Sequence, residues 1–203
     1  SRRRHTRFRN VTEVQTCALP ISLVRNLSHD TSVLVSSLSG DDAGAIVEPS
    51  DFAAALAIEK SAETLLVQIP VDTQVSEPIL IDRVGASISQ SSFERIRIQA
   101  GRHSQATVVV HNSGSAALAE DIELELADGA QLTFISLQEW ENDATHLGRH
   151  QALIGKDAKL TLIEVTLGGA TVRLLPRVNF LADRKSTRLN SSHVSESRMP
   201  SSA

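Results

Sequence analysis

The chain has 203 residues, a formal net charge of −4, 41% hydrophobic residues, one cysteine, one methionine and one tryptophan. That length and apolar content suffice for one domain with a true core. No run approaches the ~18 apolar residues of a membrane-crossing helix, and a single cysteine excludes an internal disulfide.

The two ends read as DNA rather than protein. When residue i is paired with residue 204 − i, the codons of residues 1–21 can be written as reverse complements of those of residues 183–203, Glu13 against Ser191 excepted. Ile21 (ATC) opposes Asp183 (GAT), and Pro20 (CCG) opposes Arg184 (CGG). No folding rule imposes antiparallel codon complementarity, whereas an inverted repeat flanking an insert does, and the implied DNA resembles a sequencing-library adapter. Residues 1–21 and 183–203 are therefore read as artefactual tails and set aside, including the basic "SRRRHTRFR" that would otherwise suggest a nucleic-acid arm. Nine of the 20 Lys/Arg and three of the 24 Asp/Glu lie in the tails. Residues 22–182 keep 11 basic against 21 acidic side chains, a net charge near −10. So acidic a surface repels phosphate backbones, and nucleic acid is not an expected partner. Cys17 and Met199 also fall in the tails, which leaves residues 22–182 without a thiolate ligand and reading as an internal piece of a longer frame.

Residues 22–63 read as a lead-in, irregular over 23–47 apart from a short apolar run at Val33–Val35. One helix follows in "EPSDFAAALAIEKSAE", with Ser50 as N-cap, Asp51 at the positive helix end and Ala-rich helix formers to about Glu63. Residues 64–182 switch to strands: "TLLVQI", "PILIDRV", "FERIRIQA", "ATVVVHN", "IELELA", "LTFISLQ", "LTLIEVTL" and "TVRLLPRVNF" are short, β-branched and bounded by Gly, Asp, Ser or Pro. The hexads "SQATVV" (104–109), "AQLTFI" (130–135) and "AKLTLI" (158–163) align at spacings of 26 and 28 residues, each preceded by a polar turn. A unit repeating at that period favours a β-solenoid, in which each unit buries its apolar face against its neighbours. A β-sandwich of hairpins is the alternative.

Chemistry-bearing patterns are sparse. His146 and His150 in "HLGRH" stand four apart, the spacing of a helical zinc face, but Leu147-Gly148 and the following strand argue against a helix. With no metal site assigned, the histidines are expected on turns and on the solenoid surface. The acids of "AEDIELELADG" alternate with apolar residues and are expected on the solvated face of a strand; no catalytic residue is assigned. In "SLQEW", Gln138 and Trp140 share one parity, so amide and indole point to one face. Turned inward, both need hydrogen-bond partners.

"VQIPVDTQVSEPILI", "SFERIRIQAGRHSQATVVVHNSG" and "LADGAQLTFISLQEWENDATHLGRHQALIGKDAKLTLIEVTLGG" together resemble the SufB/SufD family of iron–sulfur cluster assembly proteins, the D-member most closely, over roughly residues 45–182. The resemblance implies a right-handed parallel β-helix after a short helical segment, and a cytoplasmic, non-catalytic scaffold role in the SufBCD complex. The partners so implied are a SufB-like paralogue and the SufC ATPase, and the family's association is with Fe–S clusters. Gln138 and Trp140 match a Q-x-W motif that in SufB lies inside the β-helix on a proposed sulfur-transfer tunnel. The family's cluster-site His and Cys positions, its heterodimer strands and its ATPase-docking helices would lie beyond "VRLLPRVNFLA", where the tail begins at Asp183. The expectation is therefore an incomplete β-helix that binds no cofactor by itself and can self-associate through its last strands. The runner-up is a polysaccharide-binding or -processing β-helix.

Overall fold

The three aligned hexads stack on one another. In the computed structural model, which describes residues 23–49 and 51–181, Gln105 lies opposite Gln131, and Gln131 opposite Lys159, in parallel register. The 26- and 28-residue spacings are thus one coil each of a β-solenoid of about four turns. Both tails and Ser50 fall outside the described residues.

The elements in chain order are β1 (Leu23–Ser28), β2 (Leu34–Leu38), helix α1 (Phe52–Lys60), β3 (Thr64–Ile69), β4 (Ile79–Ala100), β5 (Gln105–Leu126), β6 (Gln131–Trp140), β7 (Thr145–Ile154), β8 (Lys159–Thr166) and β9 (Thr171–Phe180). Strands β4 and β5 each run through a corner and serve two walls. The first wall is the front of β4, the front of β5, β6 and β8; the second is β3, the backs of β4 and β5, β7 and β9, all parallel. Thus "PILIDRV" and "FERIRIQA" belong to one strand, kinked where the register shifts between Ser87 and Ser91. The lead-in is not irregular. Strand β1 adds antiparallel to Leu80–Gly85 of the first wall, and β2 adds antiparallel to β3 of the second, covering edges that would otherwise be unpaired.

One turn geometry recurs at the same corner. Gly101–Ser104, Ala127–Ala130 and Gly155–Ala158 each close with a bond from the fourth N–H to the first carbonyl, at 3.1, 3.0 and 3.3 Å. The third residue is left-handed every time: His103, Gly129 and Asp157, with φ of 55°, 71° and 57°. The turns are laddered across coils by His103 N–H to Asp128 O (3.2 Å) and Gly129 N–H to Lys156 O (2.9 Å).

Alternation sends Ile79, Ile81, Val108, Val110, Leu132 and Phe134 inward from the first wall to meet Ile96, Ile98, Ile122, Leu124, Ala152 and Ile154 from the second. Helix α1 lies outside the second wall, burying only Ala53, Ala54 and Ala57. Its cap is Asp51, whose Oδ1 accepts from Ala54 N–H at 3.1 Å, in place of the expected Ser50, and it stops at Lys60, short of Glu63. No helix among the described residues is long and apolar enough to cross a membrane.

Two surface assignments are corrected. Asp121 and Glu123 are buried, because the strands on either side set arginines opposite them: Arg95 and Arg149 flank Asp121, and Arg97 faces Glu123. His146 and His150 are buried as well, on a strand whose neighbours supply the carboxylates they need.

Candidate functional site

Beyond the apolar half, the same alternation carries polar side chains into the solenoid. Arg83 follows Ile79 and Ile81, Asn112 follows Val108 and Val110, Ser136 and Gln138 follow Leu132 and Phe134, and Glu164 follows Leu160 and Leu162. From the second wall Glu120 stands between Leu118 and Ile122, and His146 and His150 bracket Gly148. Arg83, Asn112, Glu120, Ser136, Gln138, His146 and His150 are all at most 1% exposed. Gly148 faces Glu120 directly, and a Cβ there would sit 2.7 Å from its Oε1, so glycine makes room for the carboxylate.

Glu120 is the hub. Its Oε2 accepts from Arg83 Nη2 at 2.6 Å, and its Oε1 lies 3.0 Å from His150 Nε2 and 2.8 Å from His146 Nε2. His150 Nδ1 reaches Glu164 Oε1 at 2.7 Å, and its ring meets Phe134 edge-on with centroids 5.5 Å apart. Gln138 is a second hub, whose Oε1 accepts from Asn112 Nδ2 (2.8 Å) and Trp140 Nε1 (3.0 Å) and lies 2.9 Å from His146 Nδ1, while its Nε2 donates to Ser136 Oγ (2.6 Å). His146 joins the two hubs. Its ring packs at 77° against Trp140.

Burial opposes ionisation of Glu120, but Arg83 and the two imidazoles outweigh it and hold that carboxyl well below the usual range. Burial also opposes charge on His150, yet hydrogen bonds to Glu120 and Glu164 raise it to about 9. For His146 burial wins, helped by Arg83 and His150, and its affinity for a proton is lowered. Arg83 and His150 thus stand against the carboxyl groups of Glu120 and Glu164 inside the solenoid. The 2.8 Å contact of His146 Nε2 with Glu120 Oε1 sets the Nε2–H on that carboxylate, and Nδ1 lies within reach of Trp140 Nε1 at 3.3 Å. Arg83 Nε and Nη1 and Asn112 Oδ1 are buried without partners, so the interior holds spare donors and an acceptor next to the hubs. An arrangement of this kind can hold polar or charged species, and protons, inside a solenoid that is otherwise apolar.

Of the residues singled out from sequence, Gln138 and Trp140 do face inward and do find partners. His146 and His150 join the same network, His29 and His103 do not, and His111 stands on the outer face of the first wall, raised by its bonds to Asp82 (2.7 Å) and Glu139 (2.9 Å) in spite of partial burial. Sequence reasoning missed Arg83, Asn112, Glu120 and Glu164. The signal was present: each holds the parity of inward apolar neighbours. No group of three or more His, Cys, Asp or Glu among the described residues is arranged to hold a metal ion.

A model of the SUF system FeS cluster assembly SufBD core domain matches residues 83–199, more than half of the chain. The chain belongs to the SufBD family. The matched stretch opens at Arg83, so the polar interior residues from Arg83 to Glu164 all lie inside the matched range. Iron-sulfur cluster assembly SufBD family proteins of Mycobacterium bovis and Mycobacterium leprae are each 34% identical over 132 residues, 65% of this chain and 33% and 34% of theirs. One from Mycobacterium tuberculosis is 33% identical over the same length. The chain thus spans about a third of the length of the curated SufBD relatives it matches.

Proposed function

We propose that this solenoid is a scaffold segment of an iron–sulfur cluster assembly complex, SufD-like and itself non-catalytic, working beside a SufB-like paralogue and a SufC-like ATPase. The observation that carries the reading is membership of the SufBD family over the solenoid itself. The interior is in keeping with it, because Arg83, Glu120, His150 and Glu164 are engaged with one another. The polysaccharide alternative loses the acids that motivated it, because Glu120, Asp121 and Glu123 are ion-paired and buried rather than turned toward a sugar.

The test is a graft. Residues 83–181 replace the matching stretch of the Mycobacterium tuberculosis relative, and the chimera is co-expressed with its host's SufB-like and SufC-like proteins. The expected result is capture of both partners and retained cluster assembly under anaerobic conditions, while the 203-residue chain alone hydrolyses no ATP. A folded chimera that captures neither partner, or ATP hydrolysis by the chain alone, overturns the reading.

A further inference from the structure

The segment between β2 and β3 is attached to the solenoid in an unusual way. Strands β2 and β3 form an antiparallel pair whose last partners are Leu38 and Thr64, so the ends of the connection 39–63 are held side by side whatever the connection does. Within it, residues 43–49 run along the outside of the second wall, and α1 comes after them. The crossing is gripped by its backbone. Arg95 Nη1 donates to Ala43 O, Arg97 Nη2 to Gly44 O, and Arg149 Nη1 to Val47 O (3.2 Å) and Glu48 O (3.0 Å). In return Ile46 N–H donates to Glu123 Oε1 at 2.7 Å. Among the side chains, none described between 43 and 49 is buried, α1 buries Ala53, Ala54 and Ala57 with Leu56 and Ile58 half-buried, and Asp51 takes Arg173 Nη2 at 3.4 Å.

Beneath the crossing the charges do not close. Three guanidiniums face two carboxylates, with Arg149 Nε on Asp121 Oδ1 (2.7 Å) and Arg97 Nη2 on Glu123 Oε2 (2.9 Å). Arg95 sits at 3.7 and 3.5 Å from Asp121 and Glu123, and its Nε and Nη2, like Arg149 Nη2, are buried without a hydrogen-bond partner. The strap's carbonyls therefore complete a polar cluster that the wall cannot complete alone, and the apolar anchor beside them is confined to the small contact of α1.

We propose that residues 43–60 are a hinged strap, clamped by Arg95, Arg97 and Arg149, that opens as one unit while the solenoid stays folded. Opening breaks no strand pairing and uncovers a surface with more guanidinium than carboxylate. The strap belongs to the low-stability class of elements from which moving parts are drawn.

Hydrogen exchange of the full chain, read by mass spectrometry at pH 7, tests it. Amides of 44–59 are expected to exchange at least tenfold faster than those of β5 and β7. Arg149→Gln should speed the strap a further tenfold with the β5 and β6 core unchanged. Should Arg149→Gln weaken the fold, Ala57→Glu, which displaces the helix without touching the arginines, must give the same selective loss. Strap amides as protected as the core, or core and strap accelerating together in both variants, would overturn the proposal.

Discussion

At the scale of single residues, the interior depends on a few charges whose balance is set by pH. His150 has its pKa raised to about 9 by Glu120 and Glu164, against ~6.5 unfolded. The stability this brings is complete below ~6.5 and is lost as pH rises through about 9, when the folded protein gives up a proton that the unfolded chain has already released. Chemical denaturation between pH 6.5 and 10 should show unfolding free energy falling by on the order of 3 kcal/mol, and Glu164→Gln should flatten that fall. A wild-type profile flat across the window would remove the charged His150. The second hub predicts an order of severity. Gln138→Leu removes the shared acceptor of Asn112 Nδ2 and Trp140 Nε1, leaving them only the longer contacts to Leu137 O (3.4 Å) and His146 Nδ1 (3.3 Å), and should cost about 3 kcal/mol. Trp140→Phe strands none and should cost about 1 kcal/mol. Equal losses in urea titrations of the two variants would show that Gln138 Oε1 is not the shared acceptor.

For the elements, the comparison of sequence with structure separates what is local from what is not. The hexads at 104–109, 130–135 and 158–163 were legible because a solenoid writes its register into the sequence, and the structure pairs them residue for residue. The acidic strand of β5 misled because its partners are 26–28 residues away: alternation alone reads Glu123 as solvated, and only the coil before it supplies Arg97. Strands β1 and β2 were illegible for a related reason, as each is stabilised by an edge formed much later in the chain. The corner turns yield a prediction of opposite signs. Asp157 pays for a left-handed φ of 57°, which glycine adopts freely, so Asp157→Gly should leave stability unchanged or raise it by up to about 1 kcal/mol. Gly129→Ala, at φ 71° with its new Cβ 2.4 Å from His103 Nδ1, should lower it by about 1–3 kcal/mol. Thermal melts of both variants check this, and a destabilised Asp157→Gly would mean that its side chain, not its backbone, holds the turn.

Across the whole molecule the two ends of the solenoid are unlike. At the first coil β1 and β2 close both walls with antiparallel strands. At the last, β8 and β9 have no strand on their far side among the described residues, and the inward-facing row that β9 carries is incompletely covered: Phe180 is 48% exposed, Val172, Leu174 and Val178 are half-buried, and Leu181 next to them is 66% exposed. A parallel edge with unpaired N–H and C=O groups and apolar side chains beneath it is a template for another strand. Pro176 interrupts the donors at one position, and Arg173 and Arg177 add charge, but neither guards the stretch from Val178 to Leu181. The chain should therefore self-associate through residues 170–181 in a concentration-dependent manner. Sedimentation velocity over a tenfold concentration range should show the average mass rising, and Val178→Lys with Phe180→Lys should return it toward the monomer by placing two ammonium groups along the edge. A clean monomer at every concentration, or a double variant that associates as strongly as the parent, would place the sticky surface elsewhere, with the bare outer face of the first wall, where Leu80, Val109, Ile135 and Ile163 align across four coils, as the next surface to substitute.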